Sequence, residues 1–181
     1  MNFEVMHLET ILYEYQLNFS DYLLNLIPLV IGIAFMHVFV LSIKDKSNET
    51  KRFIKIFSGA ITFIIGILSL VIFIFITVSM SLEHIDYKNR LANNDVCVVE
   101  GYVENFHPMP FEGHDTERFN INGVNFEYSD STIINGYHKS STHGGVITHN
   151  GQYLKIKYVV KEYNDIKETV ILYIAEIQQN E

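Results

Sequence analysis

Five histidines fall on two polar stretches of this 181-residue chain, among carboxylates and hydroxyls that could join them in chemistry. His107 and His114 lie in FHPMPFEGHDT (106–116), with Glu112 and Asp115 beside His114 and Glu117 just beyond. His138, His143 and His149 lie in DSTIINGYHKSSTHGGVITHNGQ (130–152), which opens on Asp130 and carries the pair Gly144 and Gly145. Imidazoles and carboxylates converging from two loops form the donor set of a divalent metal, so His107, His114, His138 and His143 are the metal candidates. Against this, no pair stands at a ligand spacing such as HExxH, and loop histidines ordinarily serve as hydrogen-bonding groups. The expectation is neither metal nor cofactor. A hydrolytic centre would need a hydroxyl activated by a base, with His114 or His138 serving Ser140, Ser141 or Thr142. No nucleophile elbow accompanies them, so catalysis is not expected. Gly144 and Gly145 are followed by Val146 and Ile147 rather than Lys and Ser or Thr, which excludes a P-loop and leaves a tight turn. Polar loops this long in a small domain are usually functional, and together they read as a surface for a partner or ligand.

The elements that must hold these loops are strands. In ERFNINGVNFEYS (117–129), Asn122-Gly123 is the preferred centre of a type I′ hairpin turn. That turn pairs Ile121 with Val124, Phe119 with Phe126 and Glu117 with Tyr128 on one face. Asn120 then meets Asn125, and Arg118 meets Glu127, on the other. One face becomes apolar and the other polar with opposed charges, a sorting that a one-residue slip would destroy. An earlier strand over 95–106 carries apolar residues on both faces and is expected to bend near Gly101. A later one over 153–160 alternates, with Leu154, Ile156, Tyr158 and Val160 inward and Lys155, Lys157 and Val159 outward. Asn164-Asp165 turns into a last strand over 168–177, apolar on both faces. Five strands in this layout suggest a small OB-like barrel or an open Greek-key sheet spanning 95–178. The 130–152 connection lacks the helix such a barrel usually carries there. The single Cys97 permits no intrachain disulfide and reads as a small buried strand residue.

Ahead of this domain the composition changes. Residues 56–82 contain no Asp, Glu, Lys, Arg or His, and as a helix they would span roughly 40 Å, beyond the hydrocarbon core of a bilayer. Residues 22–43 form a second apolar run, with His37 its one ionisable group apart from Tyr22 and with Ser20 or Asp21 as N-cap. Pro28 is expected to free the carbonyl of Leu24. The fold class is therefore a membrane α-helical hairpin followed by a juxtamembrane extension (83–94) and a small all-β domain. The 44–55 link carries five basic residues against two acidic ones, so the positive-inside rule places it in the cytoplasm with both chain ends outside. Gly59, Thr62, Gly66 and Ser69 make a small-residue stripe on the second span, with Gly32 available on the first. Such stripes pack helices within a hairpin or between copies. Residues 1–21 are acidic, and Val5, Leu8, Leu12, Tyr15 and Phe19 trace a helical stripe. A helix on the membrane surface, or one packed on the outer domain, is expected there. Tyr13, Tyr15, Tyr22 and Tyr87 are the candidate interface anchors, since the chain has no Trp. A net charge of −8 argues against nucleic acid.

The pattern VEG-V-NF, GH-E-F, GV-F-YSD and GG-I, over roughly residues 99–158, resembles a β domain that recurs in bacterial proteins, often behind a membrane anchor. That resemblance implies a bacterial source and a compact β domain, and no activity. Membrane-anchored OB domains such as those of the NfeD-like proteins are similar in plan only. The expected function is that of a two-pass inner-membrane accessory protein. Its β domain would face a membrane or periplasmic protein partner on the extracytoplasmic side, as a subunit or an immunity-type inhibitor. The alternatives are a metal- or small-ligand-binding domain on the histidine loops, and an oligomeric channel or transporter subunit.

Overall fold

The computed structural model describes residues 8–16, 23, 25–44, 49–131, 136–163 and 166–178. The expected N-cap at Ser20 or Asp21, the carbonyl of Leu24, the Tyr22 anchor and the turn at Asn164 and Asp165 lie outside them. In chain order the elements are β1 (Leu8–Glu14), α1 (Leu26–Lys44), α2 (Glu49–Ala92), β2 (Cys97–Tyr102), β3 (Glu104–His107), β4 (Glu117–Ile121), β5 (Val124–Tyr128), β6 (Tyr153–Tyr163) and β7 (Ile166–Gln178). Contacts divide the chain into two units, Leu17–His84 and a second formed by Met1–Gln16 with Ile85–Glu181.

In the first unit, α1 and the apolar length of α2 are long and apolar enough to cross a membrane. Large side chains such as Val30, Ile64 and Phe75 stand exposed on them, as befits helices that are apolar all round. The small residues set the helix spacing. A Cβ on Gly32 would come within 2.9 Å of the Leu70 side chain, and one on Gly66 within 3.2 Å of the Gly32 carbonyl. One on Gly59 would meet Ser42 Cβ at 3.0 Å. Ser69 Oγ donates to the Pro28 carbonyl at 2.8 Å, while Thr62 Oγ1 bonds within its own helix to Gly59. Pro28 sits in the first turn of α1, where its missing N–H costs little. The basic stretch from Glu49 onward is helical, so α2 begins before the apolar run does. α2 ends in a Schellman motif: Asn94 takes positive φ (54°), Asp95 N–H bonds the Arg90 carbonyl and Asn94 N–H bonds Leu91.

The second unit corrects the five-strand expectation. Seven described strands form two antiparallel sheets, ordered β1-β7-β6-β2 and β3-β4-β5, with no closed barrel. The hairpin register is as expected at all five pairs, from Glu117 with Tyr128 to Ile121 with Val124. Asn122 (φ 46°) and Gly123 (φ 82°) supply the left-handed turn. The expected first strand is two, because it passes from one sheet to the other at Val103, whose N–H and C=O bond Gln152 and Gly151. The bend therefore falls at 103–105, where Asn105 takes φ 53°, rather than at Gly101. Gly101 has a different task. A Cβ there would lie 2.7 Å from the Asn122 amide nitrogen that donates to the Glu100 carbonyl.

The added strand is β1. Residues 8–14 are extended, not helical, and pair with β7 through a register shift at Leu12. Edge pairing satisfies the backbone of this short segment, which a lone helix this short could not do as stably in water. Leu12 and Tyr13 pack on the main core between the sheets, which is built from Val99, Val103, Phe119, Ile121, Phe126, Leu154, Ile156, Ile171 and Ile174 among others. A satellite core lies on the other face of β6 and β7, where Tyr15, Tyr87, Val159, Val170 and Leu172 meet. Tyr15 and Tyr87 are therefore core residues in edge-to-face contact at 5.4 Å, not interface anchors, and Tyr13 packs against Tyr137 at 5.0 Å. The satellite core also explains why Val159 is buried, opposite to the expectation for that strand, while Val160, expected inward, is exposed. The parity along β6 is right, but its outward face at this point is covered. Cys97 is exposed, because it begins an edge strand beyond the reach of the core.

Candidate functional site

The two histidine-bearing loops meet. Their junction is built on buried groups supplied by the hairpin. Glu117, the first residue of β4, is fully buried and accepts three hydrogen bonds: from Tyr128 Oη (2.6 Å) on one oxygen, and from Ser141 N (2.8 Å) and Oγ (2.6 Å) on the other. The cross-strand pair Glu117–Tyr128 thus holds the start of a 3-10 turn at Ser141–His143. Burial, reinforced by the bond to Glu117, pushes the Tyr128 hydroxyl far above the usual tyrosine range, so it stays a donor.

Asp130, just past β5, fixes the same turn from its other end. Its carboxylate accepts from Ser140 N (2.7 Å), Ser140 Oγ (2.5 Å) and His143 Nδ1 (2.7 Å). Burial pushes this carboxyl up, but the Ser140 and His143 hydrogen bonds outweigh it and leave it below the usual aspartate range. The turn closes on Gly144 at φ 87° and on Gly145, whose N–H bonds the Ser140 carbonyl at 2.7 Å. A Cβ on Gly145 would lie 2.2 Å from the Lys139 carbonyl oxygen, so no side chain fits there. Beyond it Val146 N–H donates to Tyr137 Oη, Ile147 enters the main core, and Gln152 gathers Thr148 N, His149 N and the Val146 carbonyl. Burial pushes the Tyr137 hydroxyl up to about 12.

The 106–116 loop lies against this turn. Thr142 Oγ1 donates to the carbonyl of buried Met109 at 3.1 Å, and Ser129 Oγ contacts its sulfur at 3.4 Å. The Phe111 ring, 69% exposed, stands 4.8 Å from the His143 ring. His107 Nε2 bonds Asp115 Oδ2 at 2.9 Å, and Arg118 reaches the other Asp115 oxygen at 3.2 Å. The His107 bond, helped by Thr116 N–H and Arg118, holds the Asp115 carboxyl below its usual range. Arg118 thus pairs with Asp115, and its cross-strand neighbour Glu127 accepts from Thr116 instead.

Of the residues singled out in sequence, Glu117, Asp130, His143, Gly144 and Gly145 come together in one turn, with His107 and Asp115 paired on the adjoining loop. His114 (φ 70°) and Glu112 lie at the tip of that loop, near Phe111 in sequence. His138 and His149 do not join. Each bonds locally, His138 to the Gly136 carbonyl and His149 to Thr148. Among the described residues, no three His, Cys, Asp or Glu side chains are grouped to hold a metal ion.

The Ser140, His143 and Asp130 trio is not a relay. Ser140 and His143 Nδ1 both bond the same Asp130 oxygen, Ser140 Oγ lies 3.1 Å from that same Nδ1, and Ser140 is fully buried. A catalytic histidine would use its two nitrogens for its two partners. This geometry instead braces a loop. Sequence reasoning missed Met109, Phe111 and Tyr137 as parts of the junction; the run Pro108-Met109-Pro110-Phe111, with Met109 between prolines and Phe111 after the second, was the available signal. Comparison with protein-family models, curated proteins and solved structures finds no match to this chain.

Proposed function

We propose that this chain is a membrane-anchored binding protein. Its two apolar helices hold the β domain on the extracytoplasmic face of a bacterial inner membrane, where the joined 107–116 and 140–145 loops contact a protein partner. The observation that carries this reading is Phe111. A large aromatic side chain stands exposed on a loop whose base is braced by fully buried Glu117 and Ser140. Exposed aromatics on pre-organised supports are how protein interfaces place their anchors at low entropic cost. The polar neighbours His107, Asp115 and Arg118 supply the rim.

The two-pass arrangement has its own support. β1 precedes both apolar helices, β7 follows them, and the two strands pair. Segments that pair must share one side of a membrane, as two crossings require. The basic 44–55 link favours the cytoplasm for the opposite side. A hydrolytic alternative draws no support from Ser140, which is buried and bonded to Asp130.

The test is recovery of a companion protein with the full-length chain from its own membranes in mild detergent. A stoichiometric companion should accompany the wild type and fall at least tenfold with Phe111→Ala, while thermal melting stays unchanged. That loss corresponds to an interface anchor of about 1.4 kcal/mol or more. Equal recovery with both chains, or no companion at all, contradicts the reading.

A further inference from the structure

A cleft of about 410 Å³ opens elsewhere on the β unit, lined by the last turns of α2 on one side and by the outer face of the four-stranded sheet on the other. The sheet side is a cross-strand row. Glu14 of β1 is in register with Tyr173 of β7, which is in register with Lys157 of β6. The Lys157 ammonium lies 5.0 Å from the centre of the Tyr173 ring. The α2 side contributes Lys88, Asn89 and Leu91, and Tyr15 adds apolar surface.

The charges around this cleft are unusual for the chain. Two lysines face one glutamate in a protein whose net charge is −8. Neighbouring charges are already committed. Lys155 and the Tyr173 hydroxyl both bond Glu9, and Arg90 pairs with Asp86. Lys88 has no such partner among the described residues, and neither does the Asn89 side chain. An uncommitted ammonium, an amide and a second lysine held over a ring form a donor set for an anionic oxygen ligand.

We propose that this cleft binds a phosphate ester, with Lys88 and Lys157 as the charged donors and Asn89 as a neutral one. Leu91 and Ala92 supply apolar surface beside the glycerol portion of the ligand. Two sources carry this chemistry, an anionic phospholipid headgroup and a free phosphate ester. The lipid source rests on the membrane reading above; the phosphate site does not. In sequence Lys88 comes six residues after Leu82, the end of the apolar run. Glu14 opposes the ligand and limits its affinity.

The experiment is native mass spectrometry of the full chain in detergent with equimolar phosphatidylglycerol and diacylglycerol, beside calorimetric titration with glycerol 3-phosphate. Phosphatidylglycerol should be retained over diacylglycerol. Lys88→Gln, a change at an exposed helix position, should lower retention about tenfold, the loss of one charge-assisted bond. Glu14→Gln should raise it, and Phe111→Ala should leave it unchanged, which separates this site from the partner loops. Binding of glycerol 3-phosphate with the same Lys88 dependence, without lipid retention, assigns the site to a free ester. The proposal is overturned if neither ligand binds, or if Lys88→Gln and Lys157→Gln both bind as the wild type does.

Discussion

Asp130 organises the candidate site through three hydrogen bonds, and its chemistry makes that role measurable. Its carboxyl titrates lower in the folded chain than in the unfolded one. The stabilisation it gives is therefore complete above the ordinary aspartate pKa of about 3.9 and is lost as the pH falls through the lower folded value. Asp130→Asn should cost about 1–2 kcal/mol at pH 7, a charge-assisted network discounted for its partial exposure, and should flatten the acid limb. Hydrogen exchange over residues 137–147, followed with pH, checks both points. A variant as protected as the wild type at pH 7 would contradict the bracing role. The sequence revealed that these loops were unusual, because long polar stretches inside a small domain stand out by composition. The hairpin register placed Glu117 on the apolar face, but the sequence could not reveal that Ser140 and Asp130 face inward beside it. Their partners are up to 24 residues apart, and nothing in local spacing encodes a hydrogen bond between a strand end and a distant turn.

At the scale of elements, what was legible was what is local. The 117–128 hairpin followed from Asn122-Gly123 and alternation alone, down to each pair. The β1 segment did not, since Leu8, Leu12 and Tyr15 also fit a helical period and only the exposed edge of β7 decides the matter. Val159 and Val160 show the same limit: parity is local, but which face is covered depends on Tyr87, more than 70 residues away. Between the helices, Gly66 permits close approach at a point where a Cβ would meet both the Gly32 carbonyl and Met36. Gly66→Leu should cost about 1–3 kcal/mol of helix–helix packing. The Phe39 and Phe63 rings, 4.6 Å apart, mark a site for a reporter. With Cys97 replaced by Ser, a Phe39→Cys/Phe63→Cys pair should form an oxidative bridge readily, and Gly66→Leu should reduce its yield several-fold. An unchanged yield would mean that the stripe does not set the spacing.

At the scale of the molecule, the chain builds one β unit from segments on both sides of two apolar helices. Length and composition made the helices plain, because 27 residues without Asp, Glu, Lys, Arg or His leave a helix no polar face to turn toward water. The N-terminal strand's membership in the β unit was not plain, since it depends on a pairing across more than 150 residues. That pairing supports the two-pass anchor proposed above, and the basic 44–55 link supports the proposed placement of the β unit outside. Cys97 is native, exposed and unique, so it is a ready probe. The most direct measurement is labelling with a membrane-impermeant maleimide in intact spheroplasts. Cys97 should react without permeabilisation, and Lys51→Cys in a Cys97→Ser background should react only after it. Labelling in the reverse order, or of both positions in intact spheroplasts, would contradict the account.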